Sequence, residues 1–204
     1  MPRHHIIISG TGRAGTTFLV LLLTELGLDT GFADGQSYVL PNCNAGMELD
    51  IRQPNAPYIV KSPWLCDYLD ETLQAGDIVV DFAIIPMRDL YSAAQSRRDV
   101  TNRSISSLNV EPDDVPGGLW HTKEPENQEN ILAIQLYKLI YSLAKYDVPL
   151  TLLSFPRLVN DPEYLYRKIE FVLGGIDYDT FFKTFQIISQ PKLVHDFTRR
   201  ENKG

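Results

Sequence analysis

The stretch His5-Ile6-Ile7-Ile8-Ser9-Gly10-Thr11-Gly12-Arg13-Ala14-Gly15-Thr16-Thr17-Phe18 decides how the rest of the chain is read. An apolar run over residues 4–9, strand-like in length, passes through a glycine-rich turn into an apolar helical run over residues 18–28. That order builds an anion cradle. Glycines let successive backbone N–H groups converge, and the helix N-terminus adds unsatisfied N–H groups and the positive end of its dipole. Thr16 and Thr17 fall in the first helical turn, where their hydroxyls can donate to phosphate oxygens. Arg13 supplies a permanent, forked charge inside the loop.

The loop nearly matches the triphosphate-binding pattern G-x-x-x-x-G-K-[ST], with Gly10 and Gly15 in place. It departs at one position: Thr16 stands where that pattern has its lysine, and the cation sits three residues earlier, at Arg13.

Outward from the loop, strand and helix patterns alternate. Residues 58–61, 77–86 and 150–155 read as strands, and 77–86, with Ile78-Val79-Val80-Asp81-Phe82-Ala83-Ile84-Ile85, is the strongest of them. Helices are expected over 64–73 (opened by Ser62-Pro63), 88–98, 126–146, 164–173 (opened by Asp161-Pro162-Glu163 and closed by Gly174-Gly175) and 178–188. The alternation predicts one domain, residues 1–204, of three α/β/α layers around a mostly parallel sheet. Residues 29–57 and 99–125 read as long polar loops, and connections of that length are often functional.

With 26 acidic and 19 basic residues the net charge is -7, which excludes a general nucleic-acid binder. An anionic ligand must therefore be held by local basic side chains. Two cysteines, Cys43 and Cys66, make neither a metal pattern nor a disulfide framework. The apolar run 18–23 is too short to span a bilayer and no secretory core precedes it, so a soluble cytoplasmic protein without a membrane span is expected. Oligomeric state is not legible in the sequence.

Arg13-Ala14-Gly15-Thr16-Thr17 resembles the 5′-phosphosulfate loop, [K/R]-[S/A]-G-[T/S]-[T/S] after an apolar strand, of the sulfotransferases that use 3′-phosphoadenosine-5′-phosphosulfate. Those enzymes follow a central strand with an arginine and, eight positions later, a serine. Arg88 and Ser96 stand at that spacing after residues 77–86, with Ser92 an alternative hydroxyl one turn earlier. Val60-Lys61-Ser62-Pro63 is similar to the end of the family's second strand, where a lysine precedes the acceptor pocket. Residues 152–163 are similar to its late strand and loop, with Phe155-Pro156 replacing the usual Tyr-Glu.

The resemblance implies a P-loop nucleoside triphosphate hydrolase-like fold of the sulfotransferase type. It implies that Gly12, Arg13, Ala14, Gly15, Thr16 and Thr17 hold the donor's 5′-phosphosulfate and that Arg88 and Ser96 hold its 3′-phosphate. The reaction implied is sulfuryl transfer, without a metal, to a hydroxyl or amine of a small-molecule or glycan acceptor, with Arg13 and Lys61 acting on the transferring group.

Two family features are missing. The tail Arg199-Arg200-Glu201-Asn202-Lys203-Gly204 lacks the family's R-K-G closing segment, and no histidine follows Lys61-Ser62-Pro63. A carboxylate about twenty residues beyond the loop cation serves as base in other members. Asp34 occupies that position, with Asp29, Glu48 and His121 as rivals. His4, His5 and His195 read as edge or surface residues. Trp64, Tyr38 and Trp120 are candidate aromatic walls of an acceptor pocket framed by the two long loops. Two other readings stand beside the transferase: a P-loop nucleotide kinase-like phosphotransferase with Asp81 as its magnesium carboxylate, and a non-catalytic nucleotide-binding protein.

Overall fold

The computed structural model describes residues 1–40, 45–108, 115–194 and 197. In chain order the elements are β1 (Arg3–Ile8), α1 (Thr16–Glu25), the antiparallel pair β2 (Val39–Leu40) and β3 (Ala45–Gly46), β4 (Ile59–Lys61), α2 (Leu65–Ala75), β5 (Ile78–Met87), α3 (Leu90–Leu108), α4 (Gln128–Lys145), β6 (Leu150–Ser154), a short α5 (Arg157–Asn160), α6 (Pro162–Ile169) and α7 (Tyr178–Ile188).

The main sheet has the order β4-β1-β5-β6, and every pair in it is parallel. Its central strands carry continuous apolar stretches, residues 6–8 of β1 and 82–85 of β5, where both faces are covered. Side chains alternate along β1, so Ile6 and Ile8 pack with residues of α1, α6 and α7 while Ile7 packs with α2 and α4. The β1–β5 register steps between His5 and Ile6, which pair with Val80 and Phe82 respectively, so Asp81 is the extra residue of a bulge. Val80 and Phe82 consequently serve opposite layers. Asp81 itself accepts from Tyr58 Oη at 3.0 Å and lies 2.7 Å from His4 Nδ1.

The chain leaves β1 toward β4 and leaves β5 toward β6, in opposite directions. The crevice between the carboxyl ends of β1 and β5 is therefore the topological switch point, where open α/β sheets bind ligands. The glycine-rich loop follows β1 and Arg88 follows β5, so both open into that crevice. An aromatic chain supports the loop from behind. Phe18 in the first turn of α1 meets Phe185 of α7 edge-on at 5.6 Å, and Phe185 packs on Phe181, which is fully buried.

Several expected boundaries are corrected. α1 opens at Thr16 and stops at Glu25 rather than at residue 28, because Gly27 turns left-handed (φ 80°) and Leu28 N donates back to Leu23 O. Ser62 does not cap α2: its N–H donates to Ile8 O, which extends the sheet, and Trp64 takes the cap position. α3 runs ten residues past Arg98, so the loop expected over 99–125 begins as helix. Its second half has no apolar stripe because it buries a narrow face: Val100, packed on Ala45 and Val115, with Thr101 and Ser104. Among the described residues no helix is long and apolar enough to cross a membrane.

Candidate active site

The loop after β1 is shaped by its left-handed residues. Gly12 (φ 67°) and Gly15 (φ 87°) take conformations that favour glycine, and neighbouring groups occupy the space a side chain needs. A Cβ on Gly12 would lie 2.5 Å from Arg97 Nη2, and one on Gly15 would lie 3.0 Å from Leu158 Cδ1. Arg13 between them is also left-handed (φ 54°), the strained conformation that turns successive N–H groups inward. Gly15 caps α1 without a side-chain hydrogen bond, and the first turn holds no acidic residue. The N-terminal N–H groups and dipole of α1 thus face the crevice uncompensated by a carboxylate of that turn.

A cleft of about 580 Å³ opens there. Gly12, Arg13, Gly15, Thr16, Thr17, Lys61, Arg88 and Ser96 all line it, so the loop after β1, the start of α1, the end of β4, the turn after β5 and α3 converge on one space. Ala14 is fully buried and does not line it; its contribution to a ligand is limited to its backbone. Arg13 Nε donates to Ser96 Oγ at 3.1 Å, and Arg88 Nη1 donates to Arg13 O at 3.0 Å. Arg88 also lies 4.9 Å above the Phe155 ring and 5.5 Å from that of Phe197. The tight turn between β5 and α3 is what brings Arg88 and Ser96, two helical turns apart in sequence, to the same loop.

Lys61, 4% exposed, donates from Nζ to Thr17 Oγ1 at 2.9 Å, Gly46 O at 2.6 Å and Glu48 Oε1 at 2.7 Å. Gly46 N donates to the same Glu48 oxygen at 3.2 Å, leaving Oε2 without a partner among the described residues. The β2–β3 pair, which periodicity could not reveal in two-residue strands, is what carries Glu48 to the cleft. Among the described residues lining the cleft, Arg13, Lys61, Arg88 and Arg97 face one carboxylate, Glu48. In a chain of net charge -7 that is a local reversal of sign suited to a polyanion.

The remaining candidates lie elsewhere. Asp34 is exposed, accepts from Ser37 Oγ at 2.7 Å and does not line the cleft. Asp29 accepts from Tyr58 N at 2.9 Å. His121 Nε2 is 3.1 Å from Asp67 Oδ2, a half-exposed pair beside the cleft, whereas its neighbour Trp120 lines the cleft together with Trp64. Tyr38 packs on Phe32 instead, and Ser92 and Asp81 are not lining residues. Cys66 is a half-buried thiol whose pKa is pushed up to about 12, chiefly by its partial burial, and so is no nucleophile at neutral pH. Cys43, His195, Arg199, Arg200 and Lys203 lie outside the described residues.

Sequence reasoning missed Arg97. It follows Ser96 and precedes Arg98 in a polar stretch that reads as a solvated helix face, yet it is 5% exposed. Its Nη2 donates to Thr11 O at 2.8 Å, its Nη1 to Gly118 O at 2.7 Å, and its guanidinium lies 5.0 Å from the Trp120 ring. Burial foremost, then the charge of Arg13, lowers its pKa to about 9. The sequence signal was indirect: Gly12 is a glycine for which Arg97 needs the room.

No protein-family model matches the chain, and no curated protein matches it. Among solved structures it is similar to a sulfotransferase domain from the curacin biosynthetic pathway, with a TM-score of 0.52 over 91% of this chain and 78% of that one, at 14% sequence identity. At that identity the likeness is one of architecture. The chain has the sulfotransferase fold, a P-loop-like α/β/α arrangement around a parallel sheet, as the motifs following β1 and β5 implied.

Proposed function

We propose that this cleft binds 3′-phosphoadenosine-5′-phosphosulfate and transfers its sulfuryl group to a hydroxyl or amine of a small acceptor. The observation that carries the reading is the meeting of two sets of cationic and N–H or O–H donor groups at the β1/β5 switch point. The cradle of residues 12–17 suits a 5′-phosphosulfate, and Arg88 with Ser96, joined to it through Arg13, suits a 3′-phosphate. The fold supports the same class of chemistry.

In this account the acceptor oxygen or nitrogen attacks sulfur in line, the S–O bond to the 5′-phosphate breaks, and adenosine 3′,5′-bisphosphate leaves. Arg13, Thr16, Thr17 and the loop N–H groups stabilise the charge that gathers on the bridging and phosphate oxygens. Lys61, held by Thr17 and Glu48, adds a buried cation beside the transferring group. The acceptor's proton passes to Glu48, the one base candidate that lines the cleft, through Oε2. This is catalysis by positioning and preorganised charge, as in phosphoryl transfer.

Thermal unfolding tests the reading. Adenosine 3′,5′-bisphosphate at a hundredfold excess over its dissociation constant should raise the midpoint by roughly 5–10 °C without magnesium. Stabilisation by magnesium-ATP alone would point to the phosphotransferase reading instead.

A further inference from the structure

Arg97 makes a connection that donor binding by itself does not require. Its two carbonyl partners belong to two neighbouring segments that both border the cleft: Thr11 O in the loop after β1, and Gly118 O in the 115–120 loop. A guanidinium so thoroughly buried is costly to keep charged unless it is well partnered. Here no carboxylate pairs with it among the described residues, and its Nε has no acceptor. Both segments are nevertheless built around it. Gly12 leaves room for Nη2, and Trp120 lies over the guanidinium.

The 115–120 loop is tied to the helices behind it at two further points. Leu119 N donates to Thr101 Oγ1 at 2.8 Å. Gln128, fully buried, exchanges hydrogen bonds with Trp120 N–H and C=O. Those ties fix the loop to α3 and α4 only; Arg97 also holds the donor loop. Gly117 in turn lies against Arg13, where a Cβ would be 3.3 Å from Nη1.

We infer that Arg97 is a positioning residue that sets the spacing between the donor cradle and the 115–120 wall of the cleft, through its paired bonds to Thr11 O and Gly118 O. The inference rests on the donor reading of the cleft. Arg97 acts through the backbone of both loops and contacts no reacting atom in this account. An anion seated between Arg13 and the loop N–H groups also eases the repulsion between Arg13 and Arg97, so donor binding and loop ordering reinforce each other.

The test combines calorimetric titration with adenosine 3′,5′-bisphosphate and amide hydrogen exchange over residues 115–121, on wild type, Arg97→Lys and Arg97→Met. Wild type should bind the bisphosphate and gain protection in 115–121 when it does. Arg97→Met should bind about tenfold more weakly and exchange faster in 115–121, with β1 and β5 unchanged, and Arg97→Lys should recover part of both losses. Normal affinity and exchange in Arg97→Met would overturn the inference. So would faster exchange across the whole sheet, which marks a residue needed only for folding. Should Arg97→Met fail to fold, the wild-type exchange decides: no protection of 115–121 on ligation overturns the coupling. Failure of wild type to bind the bisphosphate at all removes the donor reading, a separate result.

Discussion

The glycine-rich cradle and the 115–120 loop border one cleft side by side and are held by different physics. The cradle is contiguous in sequence and made of backbone: left-handed residues at 12, 13 and 15 and the N-terminus of α1. The neighbouring loop is held by side chains of Arg97, Thr101 and Gln128, which arrive from α3 and α4. A contiguous device keeps its form wherever the chain places it. A loop pinned by distant side chains inherits its geometry from packing, and so can be adjusted one residue at a time.

The comparison breaks most severely at the cradle. Arg13→Ala should lower sulfuryl transfer by roughly 10³-fold with little change in thermal stability, since it removes charge from the transition state. Turnover near wild type would remove Arg13 from the mechanism. Glu48→Gln, which preserves an acceptor for Lys61 Nζ, should lower kcat by roughly 10²-fold at pH 7 while bisphosphate affinity stays within about twofold. Unchanged kcat would pass the base role to Asp34 or His121. Arg88→Ala sharpens the division within the donor site. Affinity for adenosine 3′,5′-bisphosphate should fall about tenfold or more, whereas that for adenosine 5′-phosphate, which lacks the 3′ group, should not change.

At the 115–120 loop the effects should be smaller and structural. Thr101→Val removes the acceptor of Leu119 N–H at nearly constant volume and should cost about 1 kcal/mol in urea unfolding, with the cradle intact. The last effect, of similar size, is in pH. Folded Arg97 has its pKa lowered to about 9 from 12.5. Below 9 the folded chain carries the full penalty of a buried charge. Above it the folded state releases a proton that the unfolded state keeps, so stability gains relative to Arg97→Met. The difference in melting temperature between wild type and that variant should therefore shift in favour of wild type on going from neutral pH to about pH 10.

The same contrast explains what the sequence disclosed. The cradle, the Arg88–Ser96 spacing and helix 178–188 were legible because each is local: a strand-turn-helix order, an eight-residue interval, a 3.6-residue period. The extension of α3 was not, because residues 99–105 bury so narrow a face that their polar composition reads as loop. Glu48 stood among four candidate bases until the β2–β3 pair placed it beside Lys61, and two-residue strands leave no period to find. Arg97 was hidden most deeply. A buried arginine bonded to carbonyls has no partner that a sequence can show, and its trace is a glycine eighty-five positions earlier, at Gly12.

The central claim is that one cleft seats both phosphates of the donor, and a crystal structure with adenosine 3′,5′-bisphosphate tests it most directly. The account expects the 5′-phosphate on the N–H groups and hydroxyls of residues 13–17 and the 3′-phosphate within hydrogen-bond reach of Arg88 and Ser96. A nucleotide seated with its 3′-phosphate away from Arg88 and Ser96, or bound outside this cleft, would contradict it.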